Sequence, residues 1–450
     1  MMKTIYPDSA SFLITEDCNL ACKYCFENKG RNQTVMSKEV IHKGLEMLCE
    51  GAKKQGKETF HAMIFGGEPL LMPEIVEEIF RYGMELGGRS GLTFTTSLVT
   101  NATILTTDIK RILNTYKSKA NLSVQLSVDG IKEVHDKYRI TKDGKGSFDI
   151  IEQNIPEWKA LFADNMDRLS VHGCCNIDTL PYLYENYIFL REQWDIPRIW
   201  FIPIHSEEWK EDDARIYEQQ LSKIADYILE KSKESGNYRE VVNYAPIDRC
   251  LNIDMFPHAP CGAGKNFITI TAKGELFPCH QIYFNDPEKF TKIGDLNTGI
   301  DELKRKIFVE YDNKDLSCAK LDPDCDAYHC YRCIAENWEN NGSILSVVDC
   351  GGFRCEMSKI ERKVQLRVRE ELKGMGLLDE NMNNYEKGNN PNNPACLCDS
   401  RGGGMEIPNN SACNCGNSDN EAIAMALRAI IDKLAALEKG QEYILTKLFK

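Results

Sequence analysis

Between residues 8 and 204 the chain alternates short apolar or β-branched runs with longer stretches whose apolar positions recur every three or four residues. Six runs read as strands: Ser11–Thr15, Phe60–Phe65, Leu92–Thr100, Leu122–Val128, Leu169–Asn176 and Arg198–Ile204. Helices fit between them, among them Ser37–Cys49, Pro73–Leu86, Phe148–Leu161 and Leu180–Gln193. Ser37, with Glu39 and Val40 behind it, has the character of a helix start, and Pro73 suits a first helical turn. Six strand–helix units in succession predict a parallel sheet with right-handed crossovers. Two architectures satisfy that pattern, a doubly wound sheet and an incomplete (β/α)6 barrel. In both, reactive residues belong at the carboxyl ends of the strands.

Chemistry-bearing residues fall at those ends. After the first strand comes Cys18-Asn-Leu-Ala-Cys22-Lys-Tyr24-Cys25. Three thiolates on one short loop can hold three irons of a cubane, whereas a ferredoxin-type run supplies four and closes the cluster. The open iron separates a catalyst from an electron carrier. A zinc knuckle would need a fourth Cys or His close by, and the nearest are His42 and Cys49, outside the loop. Gly66-Gly67-Glu68-Pro69 follows the second strand, Thr100-Asn101 the third, and Ser127-Val128-Asp129-Gly130 ends the fourth.

In this order the motifs resemble the radical S-adenosylmethionine (SAM) superfamily, which favours the partial barrel. The resemblance implies that SAM chelates the open iron of a 4Fe-4S cluster on Cys18, Cys22 and Cys25, with Tyr24 beside it. It implies that Gly66, Gly67, Glu68 and Pro69 meet the SAM amino group through backbone carbonyls, glycine allowing close approach. Asn101 and Asp129 belong to the same expected cofactor site. Ser127 and Arg139 match positions that hold the ribose and carboxylate, and a fixed guanidinium suits bidentate carboxylate capture. For Asp129 a turn or cap role is an equal alternative, and His135 reads as a neutral surface histidine with no role.

Past Tyr238 the pattern changes. Cys250, Cys261, Cys279, Cys318, Cys325, Cys330, Cys333, Cys350 and Cys355 crowd among turn-rich segments. Phe267–Thr271, the turn Ala272-Lys273-Gly274 and Glu275–Pro278 read as a hairpin with a thiol near each end. Small domains with little core are often held by metal, here iron or else zinc. This stretch resembles the SPASM domain of radical SAM enzymes that modify peptides and proteins, which implies two auxiliary 4Fe-4S clusters. Its second half departs from the family spacing, so the division of ligands stays open. Anaerobic sulfatase-maturating enzymes are similar as well. They carry an Asp just after the hairpin's second cysteine, where this chain has His280 as a candidate base.

The expected organisation is therefore α/β. A partial (β/α)6 barrel (1–235) precedes a small SPASM domain (236–360), a helix (361–379), a flexible linker (380–417) and an amphipathic C-terminal helix (418–450). The linker holds Cys396, Cys398, Cys413 and Cys415. Ser418 to Glu421 forms a capping box, and Ile423 to Leu448 keeps an a/d seam that suits a helix–helix contact or a helix-mediated oligomer.

Composition narrows the remaining choices. The chain has 450 residues, a net charge of −13 and 19 cysteines. The acidic balance argues against a nucleic-acid partner. No apolar run of membrane-spanning length or signal-peptide type occurs, so a cytoplasmic enzyme without a membrane partner is expected. In a reducing compartment, close thiols are metal ligands sooner than disulfides. The resemblance adds a cysteine-rich precursor peptide as substrate and a low-potential flavodoxin or ferredoxin as electron donor. Thioether formation in that peptide is the first functional expectation. Formylglycine formation in a sulfatase is the second, and a non-catalytic iron–sulfur electron-transfer or sensing protein the third. Many peptide maturases add an N-terminal leader-binding domain, and about ten residues precede the first strand here.

Overall fold

The computed structural model describes residues 5–28, 34–204, 208–248, 251, 261–286, 288–311, 333–346 and 352–378. Cys250, Cys318, Cys325, Cys330, Cys350, the four linker cysteines and the Ile423–Leu448 seam lie outside the described residues.

Six parallel strands form in chain order: β1 (Ser9–Leu13), β2 (Thr59–Phe65), β3 (Thr93–Thr100), β4 (Leu122–Leu126), β5 (Leu169–Cys175) and β6 (Ile199–Pro203). The helices between them are α1 (Lys38–Gln55), α2 (Pro73–Ser90), α3 (Thr107–Tyr116), α4 (Lys132–Tyr138), α5 (Phe148–Leu161) and α6 (Leu183–Ile188). Their spatial order runs β1 to β6 without the reversal that a doubly wound sheet requires, so the partial-barrel alternative holds. Ser37 caps α1 by accepting from the Val40 amide, and Pro73 lies in the first turn of α2. Helix α1 outruns its expected end and stops at Gly56, whose φ of 68° closes the last turn. The expected helix 180–193 is broken into a 3-10 turn, α6 and a π-turn.

Period-2 alternation sorts the strand residues by face. Phe12, Phe60, Ala62, Ile64, Leu98, Val124 and Val171 join the apolar core beneath the helices. Their neighbours on the other face are polar and bond to one another. The Ser11 and Thr269 hydroxyls are 2.7 Å apart, His61 meets Thr95 (2.9 Å) and Ser97 (3.0 Å), and Gln125 meets His172 (2.6 Å). Burial holds both imidazoles near pKa 4, so they are neutral partners.

Beyond β6 come α7 (Glu211–Ser235) and the one-turn α8 (Ala245–Asp248). The chain then returns to the first strand: β7 (Phe267–Ile270) pairs in parallel with β1 and forms a hairpin with β8 (Glu275–Phe277). The expected Gly274 turn is present, at φ 81°. Strands β9 (Gly294–Asp295) and β10 (Gly299–Ile300) extend the same ten-stranded sheet. Helices α9 (His280–Phe284), α10 (Glu302–Glu310), α11 (Ile334–Asn341) and α12 (Phe353–Gly374) complete the described elements. Among them no helix is long and apolar enough to cross a membrane.

Candidate functional site

The Cys18–Cys25 loop leaves the carboxyl end of β1 and is fastened from several sides. Ala21 donates to the Ile140 carbonyl (2.7 Å) and Lys23 to that of Tyr138 (2.9 Å), so the segment carrying Arg139 runs along the loop. Cys18 and Cys22 are buried with Leu20, and Cys25 packs beside them with Tyr24. The Leu20 amide donates to Cys18 Sγ at 3.4 Å. Among the described residues, no three His, Cys, Asp or Glu side chains converge closely enough to share one metal ion. A cubane asks for a different geometry, one thiolate on each of three irons, and three thiols on one short loop fit it.

Gly66 and Gly67 earn their lack of a side chain against the protein itself. A Cβ at Gly66 would lie 2.2 Å from the Thr15 carbonyl oxygen, and one at Gly67 would lie 2.1 Å from that of Asp17. Gly66 also has φ 141°, a region closed to other residues. Backbone bonds from Gly67 to Thr15 (2.9 Å) and from Glu68 to Asp17 (2.8 Å) lock β2's exit onto the stem of the cysteine loop.

Glu68 turns inward. Its fully buried carboxylate accepts from Leu70 N (3.0 Å), Thr100 Oγ1 (2.8 Å) and Asn101 N (2.7 Å), tying the end of β2 to the end of β3. Burial raises its pKa to about 7 against the three donors that favour the charge. Pro69 opens the 3-10 turn behind it. Asn101 faces the cysteine loop, donating to Asn19 Oδ1 at 2.8 Å.

Asp129 is the hub of the opposite wall. Its buried carboxylate takes the Tyr24 hydroxyl, Arg139 Nε (3.0 Å) and the Cys174 amide (2.8 Å). A turn role alone does not describe it. Because Asp129 engages only Nε, the two terminal nitrogens of Arg139 keep their fork, and the guanidinium lies 5.4 Å over the Tyr24 ring. Arg139 is only 8% exposed, and a nearly buried cation with an open fork suits a carboxylate ligand. Ser127 follows β4 and is half-buried, its amide bonded to the Thr100 carbonyl at 2.9 Å. His135 is buried, unlike the surface residue expected. The Asp129 amide meets its Nδ1 (3.3 Å) and the Ser147 hydroxyl its Nε2 (2.9 Å), and burial lowers its pKa to about 3.

On the C-terminal side, Cys279 and Cys333 each occupy the position before a helix, α9 and α11. Backbone amides of those helices donate to both sulfurs. Burial, with Cys261 nearby, pushes the Cys333 thiol up to about 12, and burial with Cys333 and Cys261 nearby raises that of Cys279. Thiols so disfavoured as free thiolates are natural ligands for a cation that supplies the missing charge. Cys355 is buried in the first turn of α12.

Short α9 joins the two thiol sets. Cys333 Sγ donates to Gln281 Oε1 (3.3 Å). The His280 ring lies 4.5 Å from that of Phe65, the residue before Gly66, and Tyr283 donates to Glu16 (2.7 Å) just ahead of the cysteine loop. Burial lowers the His280 pKa to about 4 and its Nδ1 has no hydrogen-bond partner, which makes it a neutral and weak base. Sequence reasoning passed over Cys174, Glu16, Gln281 and Tyr283. Cys174 alone carried a signal, its inward register at the end of β5.

Residues 12–177 match the model of the Radical SAM superfamily. The chain is 26% identical over 347 residues to the cysteine-type anaerobic sulfatase-maturating enzyme of Clostridium novyi, covering 73% of this chain and 86% of that protein. It is 26% identical over 283 residues to AlbA, the antilisterial bacteriocin subtilosin biosynthesis protein of Bacillus subtilis, where 61% of this chain spans 55% of that protein's length. The structure superposes on anSMEcpe with bound AdoMet at a TM-score of 0.64 and 18% identity, over 82% of this chain and 99% of that one, a likeness of fold. The loop geometry and these relatives agree: residues 12–177 carry a radical SAM domain, with the SAM and 4Fe-4S requirement that this implies, and the chain is similar to enzymes of that superfamily.

Proposed function

We propose that this chain is a maturase that installs a thioether in a ribosomally made, cysteine-rich peptide. The supporting observation is α9, a five-residue helix that touches the Cys261–Cys279–Cys333 group at one end and the Phe65–Gly66 wall through His280. A substrate thiol held at the C-terminal group would lie beside a carbon held at the mouth of the barrel.

In this reading Cys18, Cys22 and Cys25 hold the SAM-binding cluster. The Gly66–Gly67 carbonyls meet the SAM amino group, the Arg139 fork its carboxylate, and Ser127 its ribose. When bound, the cluster supplies the electron that cleaves the SAM C–S bond to give a 5′-deoxyadenosyl radical. A hydrogen atom of the peptide carbon would be lost to that radical, and the C–S bond would then form as the thiol proton leaves. One electron would be left over, and Cys261, Cys279 and Cys333, with cysteines beyond the described residues, would hold an auxiliary 4Fe-4S cluster able to accept it. Asp129 keeps Arg139 and Tyr24 oriented while these events occur. A flavodoxin or ferredoxin returns the electron to the first cluster.

The alternative product is formylglycine, favoured by the 86% coverage of the Clostridium novyi enzyme. Anaerobic incubation with a cysteine-rich peptide and with a sulfatase-derived peptide separates the two. A thioether product has lost two hydrogens and a free thiol and does not react with hydrazines. An aldehyde on the sulfatase peptide overturns the thioether assignment.

A further inference from the structure

Asn101 stands where a side chain at the end of β3 is expected to meet SAM, yet its amide is already committed. Asn101 Oδ1 accepts from the Thr103 amide (3.0 Å) and from Thr103 Oγ1 (2.6 Å). A backbone N–H can only donate, so this contact fixes which end of the amide is oxygen. The nitrogen end therefore faces the cysteine loop, 2.8 Å from Asn19 Oδ1 and 3.7 Å from Cys18 Sγ. Asn19 closes the ring by donating to Thr103 Oγ1 at 2.8 Å. Three side chains thus satisfy one another, and each orientation determines the next.

The backbone adds a second, independent observation. Ala102, directly after Asn101, has φ 64° and is fully buried. A non-glycine residue there is strained and persists only where its surroundings impose it. Here Thr100 Oγ1 takes the Ala102 amide (3.1 Å), while Asn154 donates to the Ala102 and Thr103 carbonyls (3.0 and 3.1 Å). These bonds fix the kink directly after Asn101.

We propose that Asn101 is a positioning residue that acts on the sulfur of Cys18, donating an N–H to it and so raising the reduction potential of the cluster held by the loop. Hydrogen bonds to cysteine sulfur stabilise the reduced, more negative cluster, and they are among the means by which a protein sets cluster potential. The Leu20 amide at 3.4 Å is a second donor to the same sulfur, so Asn101 adjusts an already bonded ligand. This inference rests on Cys18 being a cluster ligand.

The test is an EPR-monitored redox titration of the reconstituted full chain, following the signal that SAM perturbs. Asn101→Ala is expected to lower the midpoint potential at unchanged iron content. Asn101→Asp, which presents an oxygen where the N–H was, should lower it further. An unchanged potential in both, or weakened SAM binding with an unchanged potential, overturns the proposal and returns Asn101 to the SAM site. Should both variants fail to assemble a cluster, the unaltered chain decides. With asparagine labelled at the side-chain nitrogen, pulsed EPR of the reduced cluster should show a ¹⁵N coupling that Asn19→Asp retains, and its absence overturns the proposal. A Cys18→Ala chain that keeps the SAM-perturbed signal removes the cluster reading itself, an outcome distinct from the others.

Discussion

The two thiol sets are built in opposite ways. Cys18, Cys22 and Cys25 share one eight-residue loop, and the ends of β2 and β3, the 138–140 segment and α9 all bond to that loop or its stem. Cys261, Cys279 and Cys333 come from three distant segments, and two of them are positioned by helix starts. The first set is preorganised by the barrel, with many redundant contacts. The second leans on the geometry of short elements, so a bound metal has more to contribute to its order. Local ligand sets survive the loss of single contacts better than assembled ones.

The comparison breaks most sharply at the thiols. Replacing Cys18, Cys22 and Cys25 together with Ala should abolish 5′-deoxyadenosine formation while iron bound at the C-terminal thiols remains. The converse triple, at Cys261, Cys279 and Cys333, should keep uncoupled SAM cleavage and lose peptide modification. Iron analysis and chromatography of the nucleoside read both. Loss of both activities in either variant would show that the sets are not separable.

Asp129→Ala comes next. It removes three hydrogen bonds and leaves Arg139 buried without its partner, a change of about 3–5 kcal/mol in comparable cases. SAM affinity should fall at least about tenfold, with Asp129→Asn intermediate, since RT ln 10 is about 1.4 kcal/mol. Equilibrium binding of SAM checks this.

Glu68 gives a pH-dependent sharpening. Its folded pKa, raised to about 7, exceeds the ordinary carboxyl value of 4.5, so the native state binds the extra proton between them. Its contribution to stability is thus fully present below about pH 4.5 and is lost as pH rises through about 7. Relative to Glu68→Gln, the unaltered chain should lose on the order of 1–3 kcal/mol from pH 5 to pH 8, read as the difference between two denaturant titrations. An unchanged difference would mean that the three donors hold Glu68 ionised throughout.

The smallest effect belongs to the link between the sets. Tyr283→Phe removes one bond to Glu16, worth about 1 kcal/mol. It should leave both iron contents intact and raise the ratio of 5′-deoxyadenosine to modified peptide. His280→Gln should leave the pH profile of modification unmoved above pH 6, because that imidazole is already neutral there.

The barrel was legible because period-2 strands and strand-end motifs are local signals. β5 to within a residue and α5 in full could be read from hydrophobic spacing. The cysteine loop was legible for the same reason. What escaped was set by side-chain orientation across the sheet. The Glu68 side chain braces two strands, a role the sequence does not reveal, because only the fold brings Thr100 and the Asn101 amide to its oxygens. Tyr283 stayed silent because its partner, Glu16, is far away in the chain, and the strand register that marks Cys174 does not reveal its distant partner Asp129.

The pairing of β7 with β1 has a consequence for biogenesis. The inner hydroxyls that face each other across this seam are 258 residues apart in sequence. During synthesis the first strand therefore emerges with one edge bare and waits for most of the chain before that edge is sealed. An open strand edge is a template for pairing with another chain, and contacts of such separation form slowly. The nascent barrel is accordingly the stage most exposed to aggregation. A fragment ending after β6 should aggregate more readily than one that runs through β7.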